Sequence, residues 1–255
     1  MTDARVAPSG VIILGASSAI AESVARRYAA QGARLGLVAR DPARLEAIAA
    51  DLKVRGAASV ATLARDLAMP AQAQDLEDFA LRMGGADTIM IAYGLLGDQA
   101  EAEADLEAAG RLLAVNFVSA ALWALAARRM LEASCGSAGL IVALGSVAGD
   151  RARRSNFIYG AAKGGLALIL QGLSHRAARA GGPRAMVIKL GFVDTPMTSG
   201  FRKGGPLWSS PDQAAAAIVK AMSQPKAIVY APWFWRLILL VVRLVPAPIF
   251  HKVRL

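Results

Sequence analysis

Short apolar runs alternate with stretches of helical periodicity along nearly the whole chain, and this alternation constrains the fold more than any other feature. Each run has the length of a buried strand, and the segments between the runs are long enough for helices. Because strand–helix–strand units pair their strands in parallel, the pattern predicts an α/β fold with a parallel sheet of about seven strands. The predicted strands are residues 11–14, 34–39, 59–64, 87–92, 140–144, 185–190 and 227–230.

The composition favours one large folded unit in a reducing compartment. Of the 255 residues, 55% are hydrophobic and 19% are charged, which excludes disorder and favours a large buried core. The single cysteine, Cys135, excludes an intramolecular disulfide, and residues 1–10 lack the pattern of a signal peptide. We therefore expect a cytoplasmic protein, and we predict no metal site.

A glycine turn follows the first apolar run. Gly15 comes directly after that run, and a helical pattern covers residues 22–31. Strand, tight turn and helix in this order bring backbone N–H groups and a helix N-terminus onto a pyrophosphate. Only the first glycine of a Gly-x-x-x-Gly-x-Gly pattern is present, because Ala19 and Ala21 replace the other two. The turn thus predicts nucleotide binding, and a turn without a nucleotide is the alternative.

A cation follows the second predicted strand. An NAD site places an acid at this strand end to accept from the ribose 2′-OH, whereas Ala39 and Arg40 stand here. A cation at this point suits the 2′-phosphate of NADP, so NADPH is the first choice of cofactor and NADH the second. The alternative is that Arg40 only opens the loop to the next helix.

Three polar residues near the middle of the chain have the spacing of a proton-transfer site. Tyr159 and Lys163 lie four residues apart at the head of an apolar helical stretch, residues 159–180, so both face one side of the helix. We expect the ammonium to lower the pKa of the phenol. Ser146 follows the strand predicted for residues 140–144, so it would lie at the carboxyl end of that strand and hold a substrate carbonyl. The alternative is an ordinary helix surface.

Together these features resemble the short-chain dehydrogenase/reductase family over about residues 10–230. The resemblance implies a single-domain, Rossmann-type, doubly wound sheet that binds NADPH or NADH. It implies four catalytic residues: Tyr159 as the acid or base, Lys163 lowering its pKa and binding the nicotinamide ribose, Ser146 orienting the carbonyl, and Asn116 holding a relay water. An Asn buried in a helix needs a partner for its amide, which is independent support for that last role.

The same resemblance implies a set of cofactor-binding residues. It assigns Asp66 to the adenine, and Val193 and Thr195 to the nicotinamide carboxamide. The chain departs from the family at residues 91–94, Ile-Ala-Tyr-Gly, where most relatives have Asn-Asn-Ala-Gly. Residues 199–210 are expected to form a mobile lid. The predicted cofactor-binding residues are Gly15, Ser17, Ser18, Ile20, Arg40, Asp66, Leu67, Ala92, Gly94, Tyr159, Lys163, Val193 and Thr195.

Positive charge is concentrated in the second part of the chain. Residues 150–255 hold 16 Lys/Arg against 3 Asp/Glu, whereas residues 1–149 hold 13 against 16. Such a bias indicates an anionic partner, either a phosphorylated substrate or an anionic membrane leaflet. We expect no nucleic acid, because no nucleic-acid motif is present.

Residues 231–255 form an apolar and basic extension beyond the nucleotide-binding domain predicted for residues 1–230. Its uninterrupted apolar run, residues 237–242, is far below the roughly 20 residues that span a bilayer. Arg236 and Arg243 share one helical face, and Trp233 and Trp235 precede the run. This pattern is typical of a helix in a membrane interface. A helix buried against the sheet or a dimer partner is the alternative.

The extension, with residues 92–98 and 149–160, is similar to a narrower subfamily: the reductases that convert decaprenylphosphoryl-2-keto-ribose to decaprenylphosphoryl-arabinose, a step of arabinan biosynthesis. That resemblance implies a polyprenyl-phosphate sugar substrate and a flavoenzyme oxidase partner, and makes Arg153 and Arg154 candidates for the phosphate. A solvated loop is the alternative for both arginines. The family also implies a homo-oligomer. The alternative functions are reduction of another carbonyl, acyl, steroid-like or quinone, and a non-catalytic relative of the fold.

Overall fold

Seven parallel strands form the central sheet of the computed structural model, which describes residues 9–69 and 71–252. The strand order is β3-β2-β1-β4-β5-β6-β9. The predicted α/β fold with a seven-stranded parallel sheet is therefore confirmed. Two sequence predictions fall in part outside the described residues: the lack of a signal peptide at residues 1–10, of which 1–8 are not described, and the extension, of which 253–255 are not described.

The elements follow one another as strands and helices in near-strict alternation. The strands are β1 Gly10–Leu14, β2 Arg34–Ala39, β3 Ser59–Ala64, β4 Thr88–Ile91, β5 Leu140–Ser146, β6 Arg184–Leu190, β7 Phe192–Val193, β8 Trp208–Ser209 and β9 Ile228–Ala231. The helices are α1 Ala19–Ala29, α2 Pro42–Val54, α3 Ala73–Arg82, α4 Gln99–Ala104, α5 Leu106–Leu113, α6 Ala120–Ser134, α7 Phe157–Ala180, α8 Pro211–Met222, α9 Trp235–Leu244 and α10 Ala247–Phe250.

Strand order reverses between β1 and β4, which are neighbours in the sheet although two strands separate them in the chain. The chain builds outward through β2 and β3, returns to the middle, and then builds outward through β5, β6 and β9. The loops that leave the carboxyl ends of β1 and β4 consequently diverge to opposite faces. This divergence opens the crevice in which open α/β sheets bind ligands.

Helices cover both faces of the sheet and bury two hydrophobic layers. On one face α1, α2 and α8 pack against the strands, with Tyr28 and Leu52 fully buried. On the other face α3, α6 and α7 do so, with Trp123 and Leu170 enclosed. Because both faces are covered, the strands are continuous apolar runs, which made them visible in the sequence.

The segment Leu106–Ser134 is one continuous helical run of 29 residues, in which a π-helical turn, Ala114–Ser119, joins α5 to α6. By length and composition alone this run is apolar enough to cross a membrane, and 44% of its apolar window is buried in the protein. Its inner side packs Trp123, Ala127 and Leu131 against the sheet. We therefore assign it to the core.

Several element boundaries differ from the sequence prediction by one to three residues. β5 extends to Ser146, so this serine is the last strand residue, and β9 crosses the predicted domain limit at residue 230. A parallel pair of two-residue strands, β7 and β8, was not predicted. Two residues are too few to show a periodic pattern. The stretch 199–210, expected to be a lid, thereby ends in a strand that pairs with Phe192–Val193.

The C-terminal helix α9 packs one face on the loop that follows β5. Trp235 and Leu239 are buried against Val147. Arg151 of the same loop holds the carboxyl end of α9, because its Nη1 donates to the carbonyl oxygens of Val242, of Arg243 at 3.2 Å and of Val245 at 2.6 Å. Its guanidinium also lies 3.8 Å from the centroid of the Phe250 ring.

The buried-helix alternative therefore holds for one face of α9 only, and the membrane-interface alternative stays a prediction. The inner face is buried against the protein, whereas Leu237, Val241 and Leu244 on the outer face are exposed.

We predict that Arg151→Ala loosens α9 and exposes its arginines to trypsin. Hydrogen bonds to a charged donor contribute about 1.5 kcal/mol or more, so cleavage after Arg236 and Arg243 should become about tenfold faster. Limited proteolysis with mass spectrometry measures this rate. Arg154→Ala, which removes an exposed arginine from the same loop, is the matched control. Equal cleavage rates in the wild type and Arg151→Ala would show that the clamp does not hold the helix.

Candidate active site

A cavity of about 240 Å³ lies outside the carboxyl ends of β1, β2, β3 and β4, in the crevice that the reversal of strand order creates. Eight of the predicted cofactor-binding residues line it, together with residues that the sequence did not indicate. The lining residues are Gly15, Ser17, Ser18, Ala39, Arg40, Arg65, Asp66, Leu67, Ala68, Ala92, Tyr93, Gly94, Leu95, Val115 and Met197.

The glycine turn forms one wall of this cavity. Gly15 has φ +89°, and a Cβ there would lie 2.7 Å from Cβ of Tyr93 and 2.9 Å from its backbone nitrogen. A larger residue would therefore be both strained and in collision. The following α1 begins at Ser18, whose hydroxyl accepts from the backbone N–H of Ala21 at 3.2 Å. The turn thus directs a helix N-terminus at the cavity.

The two alanines that replace family glycines do not close the cavity. Neither Ala19 nor Ala21 lines it, and Ala21 is fully buried in the core under α1. The cavity therefore forms with both methyl groups present.

Two arginines stand side by side at the far end of the cavity. Arg40 follows β2 and is exposed. Arg65 follows β3, donates its backbone N–H to the carbonyl of Ala39 at 2.8 Å, and forms an ion pair with Asp75. The sequence reasoning missed Arg65. The available signal was its place directly after a strand, which is the same signal that identified Arg40.

Asn116 is fully buried in the π-helical turn and fastens the loop after β4. Its Oδ1 accepts from the backbone N–H of Leu95 at 2.8 Å, and its Nδ2 donates to the carbonyl of Leu95 at 2.7 Å. A Cβ on Gly94 would lie 2.4 Å from this Oδ1 and 3.2 Å from Nζ of Lys163. Only glycine allows the loop to approach both side chains.

Ser146 and Tyr159 meet at the end of β5. Their hydroxyls are hydrogen-bonded, and Oγ of Ser146 also accepts from the backbone N–H of Ala148 at 3.1 Å. Burial raises the pKa of Tyr159, and the hydrogen bond from Ser146 lowers it by less. The phenol consequently carries its proton near neutral pH, as a general acid must.

Lys163 is buried on α7, one turn after Tyr159. Its Nζ donates to the carbonyl oxygen of Leu144 at 3.2 Å and to that of Tyr93 at 3.5 Å. Burial lowers the pKa of this lysine to about 8. The four predicted catalytic residues therefore converge where Tyr93 and Gly94 border the cavity.

The expectation that Lys163 lowers the pKa of Tyr159 is wrong for this structure. The pKa of Tyr159 is raised, and among its causes only the Ser146 hydrogen bond lowers it. The physical reason is that the ammonium is directed at two backbone carbonyls, while burial penalises the charged form of both groups.

The remaining predicted cofactor residues do not line the cavity. Ile20 packs against the core beneath α1, and Val193 is buried on β7. Thr195 begins a short turn and donates its backbone N–H to Oγ1 of Thr198 at 3.1 Å. It is Met197 of that turn that reaches the cavity. Their predicted cofactor contacts stay predictions.

The two candidate substrate arginines differ in their surroundings. Arg153 is half-buried, burial lowers its pKa, and its Nε has no hydrogen-bond partner among the described residues. Arg154 is exposed. A buried guanidinium nitrogen without a partner is costly, so it favours an anionic ligand at Arg153.

The fold and the site together define a class of protein. A glycine turn at the switch point of a parallel sheet, with a Ser–Tyr pair beside a buried lysine, is the arrangement of a dinucleotide-dependent oxidoreductase. The family model described as short chain dehydrogenase matches residues 9–205. The chain therefore belongs to the short chain dehydrogenase family and is an oxidoreductase.

Similar proteins agree with this membership. An uncharacterized oxidoreductase of Mycobacterium tuberculosis is 36% identical over 256 residues, which cover 99% of each chain. One of Streptomyces coelicolor is 36% identical over 251 residues, which cover 98% of each. Among solved structures, the short-chain dehydrogenase from Sphingobium yanoikuyae in complex with NADPH is 25% identical with a TM-score of 0.78, covering 96% of each chain.

We predict that Lys163 makes stability depend on alkaline pH. Below about pH 8 Lys163 is charged in both states, and burying this charge lowers the free energy of unfolding. Between pH 8 and its ordinary pKa of 10.5, Lys163 is neutral in the folded state and still charged in the unfolded state. The unfolded state then binds more protons, so stability rises with pH in this window. From about pH 7.5 to about pH 9.5 the wild type should gain about 2 kcal/mol relative to Lys163→Met.

Urea unfolding of both proteins at the two pH values measures this gain in the free energy of unfolding. The contributions of the other titrating groups are common to both proteins and drop out of the difference. A stability difference that stays constant with pH would contradict the lowered pKa of Lys163.

Proposed function

We propose that this protein is an NAD(P)H-dependent ketoreductase that reduces polyprenylphosphoryl-2-keto-ribose, a lipid-linked keto-pentofuranose, to polyprenylphosphoryl-arabinose. The observation that carries the reductase part is the hydrogen-bonded Ser146–Tyr159 pair with a phenol that keeps its proton. Reduction of a ketone requires a proton donor, and the raised pKa of Tyr159 keeps its phenol protonated at physiological pH.

The residues present fit a nicotinamide dinucleotide. The turn at Gly15 leaves room for a pyrophosphate in front of the N-terminus of α1, and Arg40 supplies a cation for a 2′-phosphate. The similar structure from Sphingobium yanoikuyae contains NADPH, which supports NADPH over NADH as the cofactor. When bound, this cofactor supplies the hydride that the reduction needs.

The chain's own residues handle the oxygen and the proton. Ser146 holds the carbonyl oxygen by a hydrogen bond, and Tyr159 donates its proton to that oxygen as negative charge develops there. Lys163 would bind the ribose of the nicotinamide, which is the other role that the family resemblance gives it. Asn116 acts by fixing the loop at Leu95, which brings Gly94 against Lys163. We further propose that Asn116 holds a water that returns the proton from solvent to Tyr159.

The lipid-linked substrate is proposed on three further features. Arg153 lies seven residues after Ser146, and its buried Nε, which has no partner among the residues that the structure describes, could bind a phosphodiester; Arg154 follows it at the surface. Residues 150–255 hold 16 Lys/Arg against 3 Asp/Glu, which suits an anionic substrate. The apolar α9 packs on the same loop, where a polyprenyl chain would leave the sugar.

The proposal includes a cellular location and two protein partners, an oxidase and a second copy of this chain. The keto sugar must come from an oxidase, and we propose a flavoenzyme, with the product entering arabinan biosynthesis. We place the protein in the cytoplasm at the inner face of the membrane. A homo-oligomer is proposed because Val118, Leu122 and Leu125 expose an apolar stripe on the surface of the long helical run.

We predict that the wild type oxidises NADPH with the lipid-linked keto-ribose and that Tyr159→Phe loses about 100- to 10,000-fold in kcat, the size of a general-acid contribution. NADPH affinity, measured by fluorescence titration, should be largely retained, because the ring stays in place. Tyr28→Phe, which removes a buried hydroxyl far from the site, is the matched control. Substantial residual turnover by Tyr159→Phe would contradict the acid role.

The same assay with acyl, steroid-like and quinone ketones tests the substrate. Turnover with those ketones and none with the keto-ribose would overturn the substrate part alone. No fluorescence change with either NADPH or NADH would favour a non-catalytic relative of the fold.

We predict that Arg40→Ser weakens NADPH binding about tenfold and leaves NADH binding unchanged, because an exposed charge-assisted contact to one phosphate is lost. Dissociation constants for both cofactors, measured by fluorescence, give the ratio. Lys53→Ser, which removes an exposed cation from α2, controls for net charge. An equal effect on both cofactors would show that Arg40 does not contact the 2′-phosphate.

A further inference from the structure

The outer face of α9 carries apolar side chains that no described residue covers. They recur at helical spacing on the side opposite the buried Trp235 and Leu239. Their exposure is high for leucine and valine: 74% at Leu244, 65% at Val241 and 53% at Leu240. We call this surface the tail face; it consists of Trp233, Leu237, Leu240, Val241, Leu244 and Ile249.

A groove between α8, β9 and α9 adjoins the tail face and shares Trp233, Leu237 and Leu240 with it. Four exposed cations line it, and we call it the basic groove: Lys220, Lys226, Arg236 and Arg243. No Asp or Glu lines this groove, and within residues 9–69 and 71–252 none of the four cations has an ion-pair partner. Unpaired cations beside an apolar surface suit an anionic, amphiphilic partner.

We propose that the tail face and the basic groove together dock this protein on an anionic lipid bilayer. At 10 residues α9 is too short to span a membrane, but it presents the apolar side and the flanking arginines of an interfacial helix. Leu237, Val241 and Leu244 enter the acyl boundary, Trp233 lies at headgroup depth, and the four cations bind lipid phosphates.

A second copy of the chain is a poorer occupant of this surface. A twofold contact places the same patch of both subunits face to face. The basic groove would then bring its four cations against another four, with no acid in the patch to offset them. Like charges brought together in an interface cost several kcal/mol, whereas anionic lipid neutralises them.

Docking at this surface would also orient the candidate active site. Arg151 holds the carboxyl end of α9, and Val147 packs against Trp235, so the loop after Ser146 moves with the helix. The bilayer would then lie beside the loop that carries Arg153. In this respect the inference rests on the proposed lipid-linked substrate and names the surface from which that substrate arrives.

Vesicle co-sedimentation of the full chain, without cofactor or substrate, tests the docking. The protein should sediment with vesicles of phosphatidylcholine and phosphatidylglycerol, and not with phosphatidylcholine alone. Leu240→Glu should abolish binding, because it places a charge in the acyl boundary. Leu81→Glu, at a leucine 77% exposed on α3, is the matched control and should bind as the wild type does. Circular dichroism confirms that each variant is folded.

Charge removal tests the basic groove separately. Each Lys or Arg near an anionic surface contributes about 1 kcal/mol, so Arg236→Gln with Arg243→Gln should weaken the partition coefficient about 30-fold. The control pair, Lys53→Gln with Arg179→Gln, removes two exposed cations from α2 and α7 and should change it little.

Three outcomes would overturn the docking proposal: no binding to anionic vesicles, equal loss in the control variants, or a change from dimer to monomer in Leu240→Glu with no vesicle binding by the wild type. The last result would assign the tail face to a second copy. Vesicle binding by a protein that shows no NADPH oxidation would leave the docking intact and overturn only the proposed function.

Discussion

The structure of the site depends on one buried ammonium group. Nζ of Lys163 is held between the carbonyl oxygens of Leu144 and Tyr93, at the ends of β5 and β4. This contact fastens α7 to two neighbouring strands, and the missing side chain of Gly94 lets the loop approach. Tyr159, one turn earlier on α7, is thereby brought to Ser146 at the last position of β5. The cost of burying the charge is visible in the lowered pKa of Lys163.

Burial acts on the two titratable groups in opposite directions, and both effects suit reduction. It raises the pKa of Tyr159, so the phenol stays protonated, and it lowers that of Lys163 to about 8, so the ammonium is retained near neutrality but with a smaller margin. A neutral acid beside a cation is the state from which a proton can be given to a developing alkoxide. This protonation state is the one that the proposed reduction of a ketone requires.

The C-terminal segment belongs to the site as well as to the surface. Val147, which directly follows the last residue of β5, packs on Trp235, and Arg151 binds the last carbonyls of α9. The loop between Ser146 and Tyr159 is consequently supported from one side by the sheet and from the other by the tail. The surface proposed to bind lipid and the loop proposed to bind substrate are therefore joined by direct hydrogen bonds.

The sequence by itself determined the sheet, the glycine turn and the placing of Tyr159 and Lys163 on one helix, because strand periodicity, a glycine after a strand and a four-residue helical spacing are local properties. Only the tertiary structure decided the rest. Arg65 reaches the cavity because β3 lies beside β2, and the two-residue strands β7 and β8 exist only as a pair. The direction in which the pKa of Tyr159 shifts depends on its burial and on the hydrogen-bond partners of Nζ of Lys163. The four-residue spacing of Tyr159 and Lys163 on the helix determines neither. Which face of α9 is covered was likewise set by the packing of Trp235, since the helix is apolar on both sides.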